Sequence, residues 1–162
     1  MSTLHISLQP CSVQSYKEFH TFSTFPFLFL ILFIIFAIVM NQKQHHIIVS
    51  LASNEQQETH LAKAREQLTT ILSDLHFTAE HWTQPVNTHR SEPYLNQLCQ
   101  ATTTFSANLL NEVLKEIEKR LGRTHNEDGI VTIDLDLLQY DDQRYHLRDW
   151  ERNYIKDLLN EL

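Results

Sequence analysis

Residues 131–140 read VTIDLDLLQY, a β-prone apolar run with two aspartates set into it. Carboxylates are disfavoured inside strands, so two in one strand ask for a reason. Successive side chains of an extended chain point to opposite faces. Ile133, Leu135 and Leu137 therefore share one face, and Asp134 and Asp136 share the other. The apolar trio suits a face covered by helices. The two carboxylates then stand side by side on the open face, where like charges raise one another's pKa unless a cation lies between them. Magnesium suits that position, because it is a hard ion that takes one or two carboxylates and fills its octahedron with water and substrate phosphates. A solvated strand face is the plainer reading of a lone D-x-D, and the rest of the chain has to decide between the two.

Upstream of this strand the chain alternates between periods of two and 3.6. His46–Ser53 (HIIVSLAS) is a short β-branched run, and Asn54 is placed to cap a helix after it. Leu61, Ala64, Leu68, Ile71, Leu72 and Leu75 recur at helical spacing and predict that helix over 55–73. His76–Gln84 alternates as a strand that Pro85 stops, and Tyr94–Phe105 reads as another. On the latter, Tyr94, Asn96 and Leu98 share a face. Ser106 caps a second helix with Leu109, Leu110, Val113, Leu114, Ile117 and Leu121 on one side, and Gly122 stands where a C′ glycine belongs. The aspartate strand comes next, and a charged helix closes the chain. The order β-α-β-β-α-β plus a terminal helix reads as an α+β fold, a ferredoxin-like sandwich whose antiparallel sheet is covered on one side by helices.

Composition narrows the function. The 162 residues carry a net charge of −7 and no basic stripe, which argues against nucleic acid as a partner. Two cysteines, Cys11 and Cys99, make neither a disulfide framework nor a metal-ligand spacing, so a reducing compartment is expected. The ten histidines are scattered, without a zinc-type cluster.

The N-terminal forty residues differ in kind. Phe25–Met40 (FPFLFLILFIIFAIVM) is uncharged, and with Phe22 it approaches the roughly 17–25 residues of a membrane span. Three readings stand: translation starting at Met40, a membrane anchor, or a signal peptide. Lys17 balanced by Glu18, and the want of an A-x-A-like site, oppose the last. The expected division is 1–40, a hydrophobic segment, and 41–162, one domain in the cytoplasm. Membrane contact, through residues 22–40, is expected only if residues 1–39 are translated.

Several short motifs in the domain, in order, resemble the 6-hydroxymethyl-7,8-dihydropterin pyrophosphokinase family. Leu51-Ala52-Ser53-Asn54 is similar to its G-S-N opening, and Tyr94-Leu95-Asn96 to its Y/F-L-N. Ile117-Glu118 with Gly122-Arg123 resembles I-E-x-x-x-G-R, and Ile133–Leu138 matches D-L-D-x-L closely. His146, Arg148, Arg152 and Tyr154 fall as in H-P-R-x-x-x-R-x-F.

The resemblance implies transfer of pyrophosphate from ATP to the hydroxymethyl group of a dihydropterin, giving AMP, with two magnesium ions. It implies that Asp134 and Asp136 bridge the ions, and that Arg123 joins them in catalysis. Tyr94, Asn96 and Tyr154 would hold the pterin with the loop of Thr83, Gln84, Pro85 and Val86, and Glu118, Arg123, His146, Arg148 and Arg152 would contact ATP. A monomer with these two small-molecule partners is expected. The chain also departs from the pattern. The family's G-P-R before the aspartate strand is Gly129-Ile130-Val131, so a phosphate-gripping arginine is missing, with Arg120 and His125 the candidates to compensate. Ala52 replaces a glycine, the loop between Arg123 and Gly129 is short, and Tyr145 precedes His146 in place of proline. Two alternatives therefore stay open: a degenerate protein that binds pterin or nucleotide without chemistry, and a membrane-tethered interaction protein of the same fold.

Overall fold

In the computed structural model the described residues are 25–40, 42–85, 91–124 and 129–162. Val86 and His125 lie outside them. The chain divides into two units, 1–41 and 42–162. In the first, α1 (Phe25–Met40) is a 16-residue apolar helix whose side chains from Phe27 to Phe36 are exposed. At about 1.5 Å per residue it is shorter than the roughly 30 Å of a hydrocarbon core. No described helix is long and apolar enough to cross a membrane.

The second unit is a sheet with two layers of unequal weight on its faces. Its elements are β1 (His45–Ser53), α2 (Gln57–Ile71), β2 (Ser73–Phe77), β3 (His81–Thr83), β4 (Tyr94–Thr103), α3 (Ala107–Arg120), β5 (Asp134–Tyr140), β6 (Gln143–Arg144) and α4 (Asn153–Leu159), with a 3-10 turn at Asp149–Glu151 before α4. The strand order is β2-β4-β1-β5-β6, with β3 also paired to β4 and every pairing antiparallel. β1 thus lies between β4 and β5, the arrangement expected of the ferredoxin-like order.

Alternation on β1 separates the two faces. Ile47, Val49 and Leu51 join Leu95, Cys99, Leu135 and Leu137 beneath α2 and α3, where Leu61, Leu68, Leu110 and Leu114 are fully buried. Burial pushes the Cys99 thiol up to about 12, so it is an unreactive core side chain. The opposite face is not bare: Ile48, Leu98 and Leu138 pack with Trp150, Ile155 and Leu158 of the C-terminal segment. α4 therefore covers one end of the face that the sequence leaves open. The aspartates occupy the other end.

Three local expectations change. The predicted strand 76–84 is two strands, because one extra residue sits between the pairs Phe77↔Cys99 and His81↔Asn96. Thr78 fills the break: its amide donates to Leu98 O, and its hydroxyl accepts the Leu98 amide at 3.0 Å. The helix expected over 55–73 begins at Gln57 and ends at Ile71, and Leu75 belongs to β2. Asn54 does not cap it; its side chain donates to Gly129 O at 2.9 Å and accepts from Val131 N–H at 2.7 Å, pinning the chain that enters β5. Ser106 and Gly122 do end α3 as expected, Ser106 accepting from Leu109 N–H and Gly122 adopting φ +96°.

Candidate active site

The aspartates are brought to their partners by register. Across the sheet, Asp134 pairs with Ala52, which pairs with Asn96, which pairs with His81. One step along, Asp136 pairs with Ser50. Since paired residues share a face, carboxylates, Asn96 and Tyr94 all look onto the same surface. Small Ser50 and Ala52 on the intervening strand leave room above them. That room is an open cavity of about 410 Å³, whose lining includes Thr83, Pro85, Tyr94, Asn96, Asp134, Asp136, Arg152 and Tyr154. With Gln84, nine of the residues singled out in the sequence as site candidates thus meet in one place, although they come from β3 and the loop after it, β4, β5 and the C-terminal segment.

The two ends of the cavity differ in chemistry. At the β3–β4 end, Asn96 is 5% exposed, and its amide nitrogen donates to Thr83 Oγ1 at 2.9 Å and His81 O at 3.1 Å. Tyr154 from α4 stacks near His81, the rings 6.1 Å apart at 19°. Burial holds the Tyr154 hydroxyl above the usual tyrosine range, so it stays protonated as a neutral donor. This end offers flat apolar faces and amide groups.

The β5 end is acidic. Burial, and then the neighbouring Asp136 charge, raise the Asp134 pKa, with Lys115 and Arg123 pulling the other way. Lys115 of α3 was not foreseen from the sequence. Its ammonium lies 2.7 Å from Glu118 Oε1, 3.1 Å from Asp136 Oδ1, 3.1 Å from Leu135 O and 3.8 Å from Asp134 Oδ1. Its partial burial favours the neutral amine, but the hydrogen bond to Glu118 and the charges of Asp136, Glu118 and Asp134 outweigh that and raise its pKa. A cation thus stands at the carboxylate pair, as the like charges demand. The signal was available in part, since Lys115 lies one helical turn before Glu118, but only the packing of α3 on β5 brings it to the aspartates.

Glu118, Arg123, His146 and Arg148 do not line the cavity, whereas Arg152 does. Glu118 is 3% exposed, not the solvated helix position its residue type suggests, and its Oε1 also accepts the Leu135 amide at 2.6 Å. Arg123 donates to Ile130 O at 2.8 Å, and its Nε is buried with no hydrogen-bond partner among the described residues. His146, held at φ +49°, has Nε2 3.8 Å from Asp136 Oδ1. Arg152 is half-exposed and paired with Asp149 at 2.8 Å, and Arg148 is exposed.

The donor set fits magnesium better than a metal caged by protein alone. Among the described residues no three His, Cys, Asp or Glu side chains converge on one ion position. Two adjacent carboxylates beside open space, already neighboured by an ammonium, match an ion that takes the rest of its ligands from water and phosphate.

No curated protein matches the chain. The family model described as 7,8-dihydro-6-hydroxymethylpterin-pyrophosphokinase (HPPK) matches residues 48–162, which include every residue of the cavity. With most of its length inside that match, the chain belongs to the 7,8-dihydro-6-hydroxymethylpterin-pyrophosphokinase family, enzymes that transfer pyrophosphate from ATP to hydroxymethyldihydropterin in folate biosynthesis.

Proposed function

We propose that this chain runs the family's reaction in the cavity on the open sheet face, with the pterin at the β3–β4 end and the triphosphate at the β5 end. The observation that supports this most is the shared row Asp134–Ala52–Asn96, which sets the acidic pair and the amide side chain on either side of one strand. Strands lie about 4.8 Å apart, so the row spans about the width of a bicyclic ring with its substituent.

Tyr94 and Tyr154 hold the flat faces of the pterin, while Asn96 and the backbone of Thr83, Pro85 and Val86 read its edge. Asp134 and Asp136 hold two magnesium ions that arrive with the nucleotide. When bound, the ions neutralise the triphosphate and ease deprotonation of the attacking hydroxyl. Glu118 acts on this site from below, fixing the β5 backbone through the Leu135 amide and steadying Lys115. Arg123, His146, Arg148 and Arg152 supply positive charge and hydrogen-bond donors to ATP. The protein's share of the rate is then positioning and electrostatics, with no dedicated base. A monomer is the expected state, and the unpaired, buried thiol at Cys99 suits a reducing compartment such as the cytoplasm.

The test is AMP release by the full chain with ATP, magnesium and 6-hydroxymethyl-7,8-dihydropterin, each omitted in turn. AMP should appear only with all three present. Asp134→Ala and Asp136→Ala should each abolish transfer and leave the far-ultraviolet circular dichroism unchanged. A working Asp136→Ala enzyme overturns the metal assignment. A folded parent protein that binds the pterin but releases no AMP overturns the catalytic reading in favour of a binder.

A further inference from the structure

An ammonium has three N–H donors, and Lys115 uses them on three acceptors: Glu118 Oε1, Leu135 O and Asp136 Oδ1. Two of the three are parts of the scaffold. Glu118 is nearly fully buried and bound to the β5 backbone, and Leu135 O belongs to that backbone. Asp136 alone belongs to the cavity. The side chain is 50% exposed, so its head can meet solvent or a ligand without rearranging α3.

We infer that Lys115 is a tethered counter-ion that guards Asp136 in the empty enzyme and turns its freed N–H to the triphosphate once metal takes the carboxylate. The inference rests on the proposed assignment of Asp134 and Asp136 to metal. A divalent ion arriving alone displaces the Asp136–Lys115 pair, leaving the freed ammonium donor to water and setting two positive charges side by side. The same ion arriving with ATP brings phosphate oxygens that replace the lost acceptor. Lys115 thereby couples the two events, disfavouring metal without nucleotide and favouring the pair. Glu118 and Leu135 O keep the ammonium in place throughout.

The test measures binding in the full chain, apart from turnover. Free Mn²⁺ is followed by electron paramagnetic resonance without nucleotide, and α,β-methylene-ATP is titrated calorimetrically with magnesium present. Lys115→Met keeps the aliphatic stem, and Lys115→Gln serves if the Met variant fails to fold. Either should bind Mn²⁺ alone about five-fold tighter or more, and bind the nucleotide analogue weaker by a similar factor. Lys115→Arg, which keeps the charge, should restore much of the nucleotide affinity. A merely structural lysine would not move the two affinities in opposite directions. Unchanged or weaker Mn²⁺ binding, or unchanged nucleotide binding, overturns the inference. Asp136→Asn separates the layers. If it abolishes Mn²⁺ binding while Lys115→Met changes nothing, only the role of Lys115 falls. If Asp136→Asn binds Mn²⁺ like the parent, the metal assignment falls and the inference with it.

Discussion

Asn96 shows how one side chain serves shape and chemistry together. Its amide reaches across from β4 to β3, to His81 O and Thr83 Oγ1, at a site that water barely enters. A buried donor or acceptor left unmatched costs about 1–3 kcal/mol. Asn96→Ala should therefore lower stability by roughly that amount in urea titration, besides weakening pterin binding. A stability equal to the parent's would mean that β3 is held by its ladder alone. Val131 makes the converse point. Its N–H and carbonyl are both taken by Asn54, so the backbone at this position is fixed even though the family's arginine is missing. The cavity keeps a cation beside its carboxylates, but Lys115 supplies it from another element.

At the scale of elements, the turn between β5 and β6 decides where the strand of the aspartates ends. Asp141, at φ +49°, accepts the His46 amide at 3.0 Å and a hydrogen bond from His45 Nδ1 at 2.7 Å. That bond to His45, and then the one from the His46 amide, hold its carboxyl below the usual range against the opposing effect of desolvation. A carboxyl lowered on folding contributes stability above its unfolded pKa of about 3.9, and loses it as pH falls through the lower folded value. Asn tolerates the same backbone, so Asp141→Asn isolates the charge. The variant should be less stable than the parent at pH 7, and the deficit should fade below about pH 3.9. Denaturant titrations between pH 2.5 and 7 measure it, and a deficit independent of pH would assign the effect to the turn geometry.

For the molecule as a whole, the core under α2 and α3, the smaller cluster under α4 and the cavity all fall within 42–162. Residues 42–162 expressed alone should fold cooperatively and release AMP at about the rate of the full chain. A fragment that is folded but inactive would show that residues 1–41 contribute to the reaction. α1 is an apolar helix whose side chains from Phe27 to Phe36 are exposed.

Much of this was legible in the sequence because it depends on periodicity. Alternation in VTIDLDLLQY put the aspartates on one face, helical spacing marked α2 and α3, and Ser106 and Gly122 marked where α3 starts and stops. The order of elements then limited the sheet to few topologies, and motif spacing pointed to the family. Tertiary structure alone decided the rest, for one physical reason: contacts between elements depend on register and packing, which no local pattern encodes. Register aligned Asp134 with Asn96 through Ala52. The packing of α3 on β5 brought Lys115 to Asp136 and buried Glu118. An extra residue between Thr78 and His81 divided one expected strand into two, and Asn54 went to the β5 entry because the loop after Gly129 passes within its reach, not the amides of α2.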